Sequence, residues 1–373
     1  PPGQTFEGKT IILKNNVELN AEYEPIHTFS GVFDGGGCSI TNLKASTNYN
    51  QFFRKGTALF YIVKGENAEI KDLTVYGTAD GAGIAYELTE KAKISNCISW
   101  VNITTNGDGY PTPGGIVSNL NNGSRIENCE NRGTIICNGE NTGGGIVGSM
   151  SFYTRDGEKN CRDYTVIANC TNYGNVTIND VTGVVKMGGI CGDFSFGTIF
   201  NCANKGEVTV TTENNYFQAL GGIVGFCRGE KIDGIINCYN SGKIYSRSSN
   251  SDNQNIGGIV GKGYVGLYNY NHVYYKIRVT NTVNNDDATS FIGNVEIYDN
   301  SADFDITNNF YKKNETPPNY SSEGSTFAND NIDSVIITLN AYSNTNGYLK
   351  WDKDQGGNIV FSKDISDNQG IAP

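Results

Sequence analysis

Ten cysteines, two histidines and a repeating set of aromatic and basic residues are the parts of this 373-residue chain that could do chemistry. Five cysteines follow asparagine: Asn96-Cys97, Asn128-Cys129, Asn169-Cys170, Asn201-Cys202 and Asn237-Cys238. If these are equivalent positions on stacked units, neighbouring cysteines stand about 4.8 Å apart with parallel Cα–Cβ vectors. A disulfide needs Cβ atoms about 3.8 Å apart and turned toward each other. The spacing therefore predicts buried thiols acting as small hydrophobes, not disulfides. No Cys-x-x-Cys pair occurs, and His27 and His272 share no motif, so neither a metal nor a cofactor is assigned.

Catalysis on a coiled scaffold would draw its groups from outward columns. Glycoside hydrolysis needs two carboxylates across the scissile bond, and a lyase needs a base. The residue before each Asn gives Thr41, Lys71, Ser95, Glu127, Ala168, Phe200 and Ile236; the residue after each Cys gives Lys44, Thr74, Ile98, Glu130, Thr171, Ala203 and Tyr239. Neither column stacks two carboxylates on adjacent units, so no catalytic residue is assigned, with loop acids such as Asp156 or Asp233 left open. The column three after the Cys is more suggestive: Ser46, Tyr76, Trp100, Arg132, Tyr173, Lys205 and Ser241. Tyr76, Trp100, Arg132, Tyr173 and Lys205 are the candidate ligand-binding residues, offering ring faces for sugars and donors for hydroxyl or acidic groups. The plainer explanation is that Tyr and Trp suit strands and cations stack on them.

The elements that hold these columns follow from the period. The Asn-Cys steps are 32, 41, 32 and 36 residues, which marks one supersecondary unit stacked on copies of itself. Three residues before the Cys stand Ile94, Ile126, Ile167, Ile199 and Ile235; six after stand Ile103, Ile135, Val176, Val208 and Ile244. Residues three apart on a flat strand face opposite sides. If both are buried, the chain bends between them, and Asn is the non-Gly residue that best tolerates a left-handed bend. Asn131-x-Gly133 and its equivalents supply a second corner, and a third face is expected to begin at Gly-Gly-Ile, as at Gly145-Ile146. One turn per repeat with three bent faces makes an all-β, right-handed parallel β-helix of about seven to nine coils.

The frame extends upstream to Ile40-Thr41-Asn42-Leu43 and Ile70-Lys71-Asp72-Leu73, and downstream to Val279-Thr280-Asn281 and Ile306-Thr307-Asn308. Loops are expected to project at Ser151–Arg162 and Tyr264–Tyr275. The β-helix is assigned to residues 1–310, with an N-terminal cap over about 1–37 that includes the Phe33–Gly37 turn. Residues 311–373 form a capping segment: an exit linker from Lys312, a short helix or strand at Ile332–Asn340, and an apolar edge at Trp351 covering the last coil. Corner asparagines are expected to ladder their amides along the stack, a structural role.

Composition agrees with many short strands and tight turns: 47 Gly and 22 Tyr against 8 Pro and 2 Met. The net charge of −11 and scattered basic residues argue against nucleic acid. No apolar run is long enough to span a bilayer, so membrane insertion is not expected. The start at Pro1-Pro2-Gly3 fits a trimmed mature chain.

At Gly144-Gly145-Ile146-Val147-Gly148 and Gly221-Gly222-Ile223-Val224-Gly225, each followed by an Ile-x-Asn-Cys corner, the chain resembles the bacterial GLUG-motif proteins. The lead-in Phe29–Leu43 and the tail segments Thr338–Asn340 and Tyr348–Trp351 are similar to those flanking such repeats, so the resemblance covers most of the chain. It implies a secreted or cell-surface bacterial protein, adhesin-like, and a likeness to the non-catalytic repeat region of immunoglobulin-A-cleaving metallopeptidases. Peptidase activity is not implied, because His-Glu-x-x-His is absent. The expected protein is a non-catalytic extracellular monomer that binds a host or environmental glycan or a surface protein. A carbohydrate-active β-helix enzyme with a loop-built site is the alternative, and a structural spacer a further one.

Overall fold

The computed structural model describes residues 4–20, 23–45, 57–106, 112–139, 141–150, 165–179, 181, 183–211, 216–228, 232–247, 254–268, 273–280, 282–284, 292–297, 303–307, 309–312, 324–327, 333–337, 340–341, 350–353 and 359–361. It is a parallel β-helix. In the coil around Cys129 the first face is Arg125–Glu127. The second face has two parts, Glu130–Asn131 and Ile135–Asn138. The third is Asn141–Gly144 and the fourth is Val147–Met150. Each of these strands pairs in parallel with its equivalent on both neighbouring coils, except Asn141–Gly144, which begins its sheet and pairs with Val185–Gly188 on one side, with an isolated bridge from Gly144 to Gly114 on the other.

The inward Ile positions form the spine. On the first face the register runs Ile11, Phe33, Ile70, Ile94, Ile126, Ile167, Ile199, Ile235, Val279, Ile306. From Ile70 to Ile199 these side chains are fully buried. Each such burial stabilises the coil by roughly 1.5–3 kcal/mol relative to exposure. Both expected downstream segments, at Val279 and Ile306, therefore take their places in the stack.

The corners work as the residue types require. Asn96, Asn128, Asn169, Asn201 and Asn237 all have φ between 51° and 55°, the left-handed bend that brings Ile and Cys to the same side. At the second corner the asparagines turn inward, and each Nδ2 donates to the Oδ1 one coil on: Asn131 to Asn172, Asn172 to Asn204, Asn204 to Asn240 and Asn240 to Asn284, each at 2.9 Å. The same Nδ2 donates to the carbonyl two residues ahead, and that residue's amide donates back, where the residue is Gly133, Gly174 or Gly242. Buried amides are thus satisfied along the whole run.

The Gly-Gly-Ile motif differs from expectation. It is the bend between the third and fourth faces, and the fourth face starts after it. The bend is tight: the amides of Ile116 and Val117 both donate to the carbonyl of Ile146, and the pattern repeats coil by coil. A Cβ on Gly189 would lie 2.2 Å from the Asn204 amide carbon and 2.2 Å from the Gly222 oxygen. A Cβ on Gly225, the last residue of its motif, would lie 2.5 Å from the Met187 backbone nitrogen. The third face therefore folds directly onto the fourth, and the motif's glycines clear the space between them.

The upstream frame is displaced from the expected one. Phe33, not Ile40, pairs with Ile70, and Ile40 pairs with Val75 on the second face. The carbonyl of Cys38 accepts from Thr74 as the carbonyl of Leu73 accepts from Ile98. The corner Gly35-Gly36-Gly37 holds two extra residues, and Cys38 is the true equivalent of Leu73. Asn42, with φ 61°, bends a different corner. The N-terminal strands Thr10–Ile12 and Val17–Glu18 already pair in parallel with Val32–Asp34 and Ser39–Lys44, so the ladder begins inside the segment expected to cap it.

At the other end the second face continues past residue 310, because Gly324–Phe327 pairs in parallel with Asn309–Lys312. The Tyr264–Tyr275 projection is an antiparallel hairpin, with Gly266 opposite Tyr275 and Tyr268 opposite Val273. The Ser151–Arg162 projection lies outside the described residues. Trp351 does not cover the last coil. Its indole Nε1 donates to Asn237 Oδ1 at 2.7 Å and its ring sits edge-on against Tyr239 at 5.9 Å. It straps the side of a coil that two further first-face strands follow. Asn340 holds it there, donating to and accepting from the Trp351 backbone. Residues 333–337 form a helical turn, tied to the strap by Lys353 to Asp333 at 2.7 Å. Among the described residues no helix is long and apolar enough to cross a membrane.

Candidate functional site

The five candidate residues come together as one ladder on the outside of the second face. Trp100 pairs in register with Tyr76, and their rings stack at 6.1 Å with planes 8° apart. The next rung places the Arg132 guanidinium 5.5 Å from the Trp100 ring and 4.4 Å from the Tyr173 ring. Lys205 follows, its ammonium 5.0 Å from Tyr173. Backbone pairing fixes the order: Arg132 donates to the Ser99 carbonyl, Tyr173 to Asn131 and Lys205 to Asn172. Ser46 lies outside the described residues, and the displaced upstream register removes the reason for placing it in this column.

Because the rings stack along the coil axis, their faces are turned toward one another and their edges outward. Trp100 has Tyr76 on one side and Arg132 on the other. It is nonetheless 42% exposed, and Tyr76 is 41% exposed, so large aromatic edges stand in solvent. Glu130 fixes Arg132 through Nε at 2.8 Å. The ladder thus presents ring edges, tyrosine hydroxyls and two cations to a ligand, rather than the open ring faces expected from the column alone.

Acid–base chemistry finds little support on the first face. There Lys71 pairs with Asp34 at 3.1 Å, and Lys93 bridges Glu127 at 3.0 Å. Burial pushes the Glu127 carboxyl up, but Arg125 and Lys93 outweigh it and hold the group below its ordinary range. A carboxylate so held is a poor proton donor near neutrality. His27 touches Thr28 and the Tyr61 ring; His272 lies outside the described residues, as does Asp156. Among the described residues no group of three His, Cys, Asp or Glu side chains could hold a metal.

The repeat cysteines form a buried column, and none of the nine described cysteines is in a disulfide. Each thiol points at a backbone carbonyl two residues back, 3.3 Å from Glu127 for Cys129 and 3.1 Å from Ala168 for Cys170. Burial pushes the Cys129 and Cys202 thiols well above their ordinary range, with neighbouring thiols adding to the effect.

One cluster escaped the sequence reading. Where the third face folds onto the fourth, Asp193 accepts from Lys186 at 2.7 Å and from Arg228 at 3.4 Å, and Ser195 Oγ donates to it at 3.3 Å. The Phe226 ring lies under Lys186 at 4.4 Å, and Lys262 approaches Phe217 and Tyr264. Asp193, Phe226 and Lys262 share one fourth-face column, but Lys186 stands on the third face and Arg228 two residues beyond Phe226, so only the fold between two faces brings Lys186 to Asp193.

No protein-family model and no curated protein sequence matches the chain. Among solved structures it is similar to a Bacteroides ovatus protein described as a "putative immunoglobulin A1 protease". The two share 16% sequence identity and a TM-score of 0.43, over 95% of this chain and 86% of that one.

Proposed function

We propose that this chain is a non-catalytic, secreted or surface-displayed bacterial binding module, which adheres to a glycan or a surface protein through the second face. The observation that carries the reading is the Tyr76–Trp100–Arg132–Tyr173–Lys205 ladder. An exposed, rigid run of amphipathic rings and cations is the kind of surface that anchors recognition, since ring area binds with little loss of side-chain freedom. Its backbone is fixed on every rung, so the side chains are preorganised. The GLUG-type resemblance and adhesive behaviour belong to this same reading.

The test is an array of glycans and matrix proteins probed with the wild type and with a Trp100→Ala, Tyr173→Ala double variant. Loss of at least about tenfold in affinity is expected, because two ring contacts at about 1 kcal/mol each are removed. Unchanged binding by a folded double variant rejects the ladder as the site. A panel of polysaccharides assayed for new reducing ends and unsaturated products addresses the enzymatic alternative, and reproducible turnover would replace the adhesive reading.

A further inference from the structure

We propose that the outer face of Tyr76, where the ladder ends, is a subsite for one neutral pyranose ring of a glycan. This subsite rests on the ladder being the binding surface, and it names the place and the class of the ring. Trp100 and Tyr173 are covered on both faces, the first by Tyr76 and Arg132, the second by Arg132 and Lys205. Tyr76 is covered on one, since Trp100 is its only ring or cation neighbour among the described residues. It is 41% exposed.

Register explains why the stack stops there. Cys38 and Leu73 are equivalent corners, so Thr41, three residues after Cys38, is the rung that precedes Tyr76. Ile40 pairs with Val75 and Leu43 with Gly77, and the shift between them sets both Thr41 and Asn42 against Tyr76. Gly77, at φ 147°, and Asn42, at φ 61°, take the conformations that such a bulge needs. Ile40 is buried and Thr41 is not, which places Thr41 on the outer side with Tyr76. The Asn42 side-chain amide is drawn off to the Leu19 carbonyl of the preceding coil at 2.6 Å. Thr41 is too short to cover a tyrosine ring. One strand spacing, about 4.8 Å, is also a stacking distance, so a ring lying over Thr41 continues the stack that Trp100 and Tyr76 begin.

The groups around that rung select the ligand. Glu18 pairs in register with Thr41 on the preceding coil, and Lys44 stands three residues after Thr41; both are exposed. Among the described residues neither is in an ion pair. An anionic ligand meets repulsion from Glu18, and a cationic one from Lys44. An uncharged ring carrying hydroxyls donates to the first and accepts from the second. A pyranose adds a C–H face for Tyr76, and the Thr41 hydroxyl is a further partner. A plain aromatic ligand would use Tyr76 and leave the polar groups to water.

The probes are the methyl glycosides of galactose, glucose, mannose and N-acetylglucosamine, titrated by saturation-transfer NMR. N-acetylarginine amide stands for a protein side chain that could stack in the same place. At least one glycoside is expected to bind. Tyr76→Ala should lose about tenfold in affinity, and Tyr76→Phe, which keeps the ring face, should regain it. Thr41→Tyr supplies the next ring at an outer strand position that suits tyrosine, and should abolish binding at unchanged melting temperature. Tyr245→Ala, on the same face several coils away, should bind like the wild type. Binding of no glycoside, wild-type binding by either Tyr76→Ala or Thr41→Tyr, or tighter binding of the arginine amide overturns the proposal. Array binding that is lost in the Trp100, Tyr173 double variant but kept in Thr41→Tyr removes this subsite and leaves the ladder standing. Array binding kept by the double variant rejects the ladder whatever Thr41→Tyr does.

Discussion

A thiol reacts as its anion, and the Cys129 thiol is buried, directed at the Glu127 carbonyl and flanked by other buried thiols. Burial likewise pushes the Cys137 thiol up to about 12. Such groups carry almost no thiolate near neutrality. A disulfide reagent added to the native protein should therefore leave Cys97, Cys129, Cys170, Cys202 and Cys238 unmodified over hours, and label them all once denaturant is present. Cys38, which is half-buried, should label first among the described cysteines. Rapid native labelling of the five, read by peptide mass, would mean that the coils open far more often than their packing implies. The Asn-Cys pairs announce themselves in the sequence yet supply no reactive group: Asn makes the bend, and Cys fills the space beneath it.

At the scale of the element, the glycines carry the sharpest contrast. Alanine at Gly189 would drive a methyl into Asn204, which the amide ladder holds, and into the Gly222 carbonyl of the next coil. Overpacking against a fixed backbone costs typically 1–3 kcal/mol, and about 3 kcal/mol is expected here. Alanine at Gly143 meets only Met187 and Pro113 side-chain atoms at 3.1–3.3 Å. A flexible methionine can yield, so a change under about 1 kcal/mol is expected. Urea midpoints that fail to separate these two variants would show that the bend at Gly189 is not packed tightly against Asn204 and the next coil. The Ile-x-Asn-Cys corner was legible because its residue types recur in register. The displaced upstream frame was not, since Ile40-x-Asn42-Leu43 copies the motif while two extra glycines at Gly35–Gly37 shift the true corner to Cys38. The ladder's members could be named from spacing, but the turn of their ring faces toward one another depends on rotamers. The Lys186–Asp193–Arg228 corner joins residues that no single column contains, so the repeat gives no sign of it.

For the whole molecule, the question is how far a local loss travels. A solenoid coil touches only its neighbours, so stability is close to a sum of coil and interface contributions. Trp351 is almost fully buried, yet it lies on the side of the stack, against Asn237 and Tyr239. Replacing a buried Trp by Ala commonly costs about 3–5 kcal/mol. In a single cooperative core that loss would appear everywhere. Here it should stay near the strap, where Asn237 loses its indole donor and the Tyr239 ring meets water. Amide exchange in Trp351→Ala should speed at Tyr239 and Val283, whose amides donate to Cys202 and Cys238. The amides of Ile98 and Glu130, which donate to Leu73 and Cys97 several coils away, should keep their wild-type protection. A uniform rise in exchange across all four positions would mean that the coils unfold as one unit. The strap would then stabilise the ladder face and the corner around Asp193 together, instead of securing only the coils beside it.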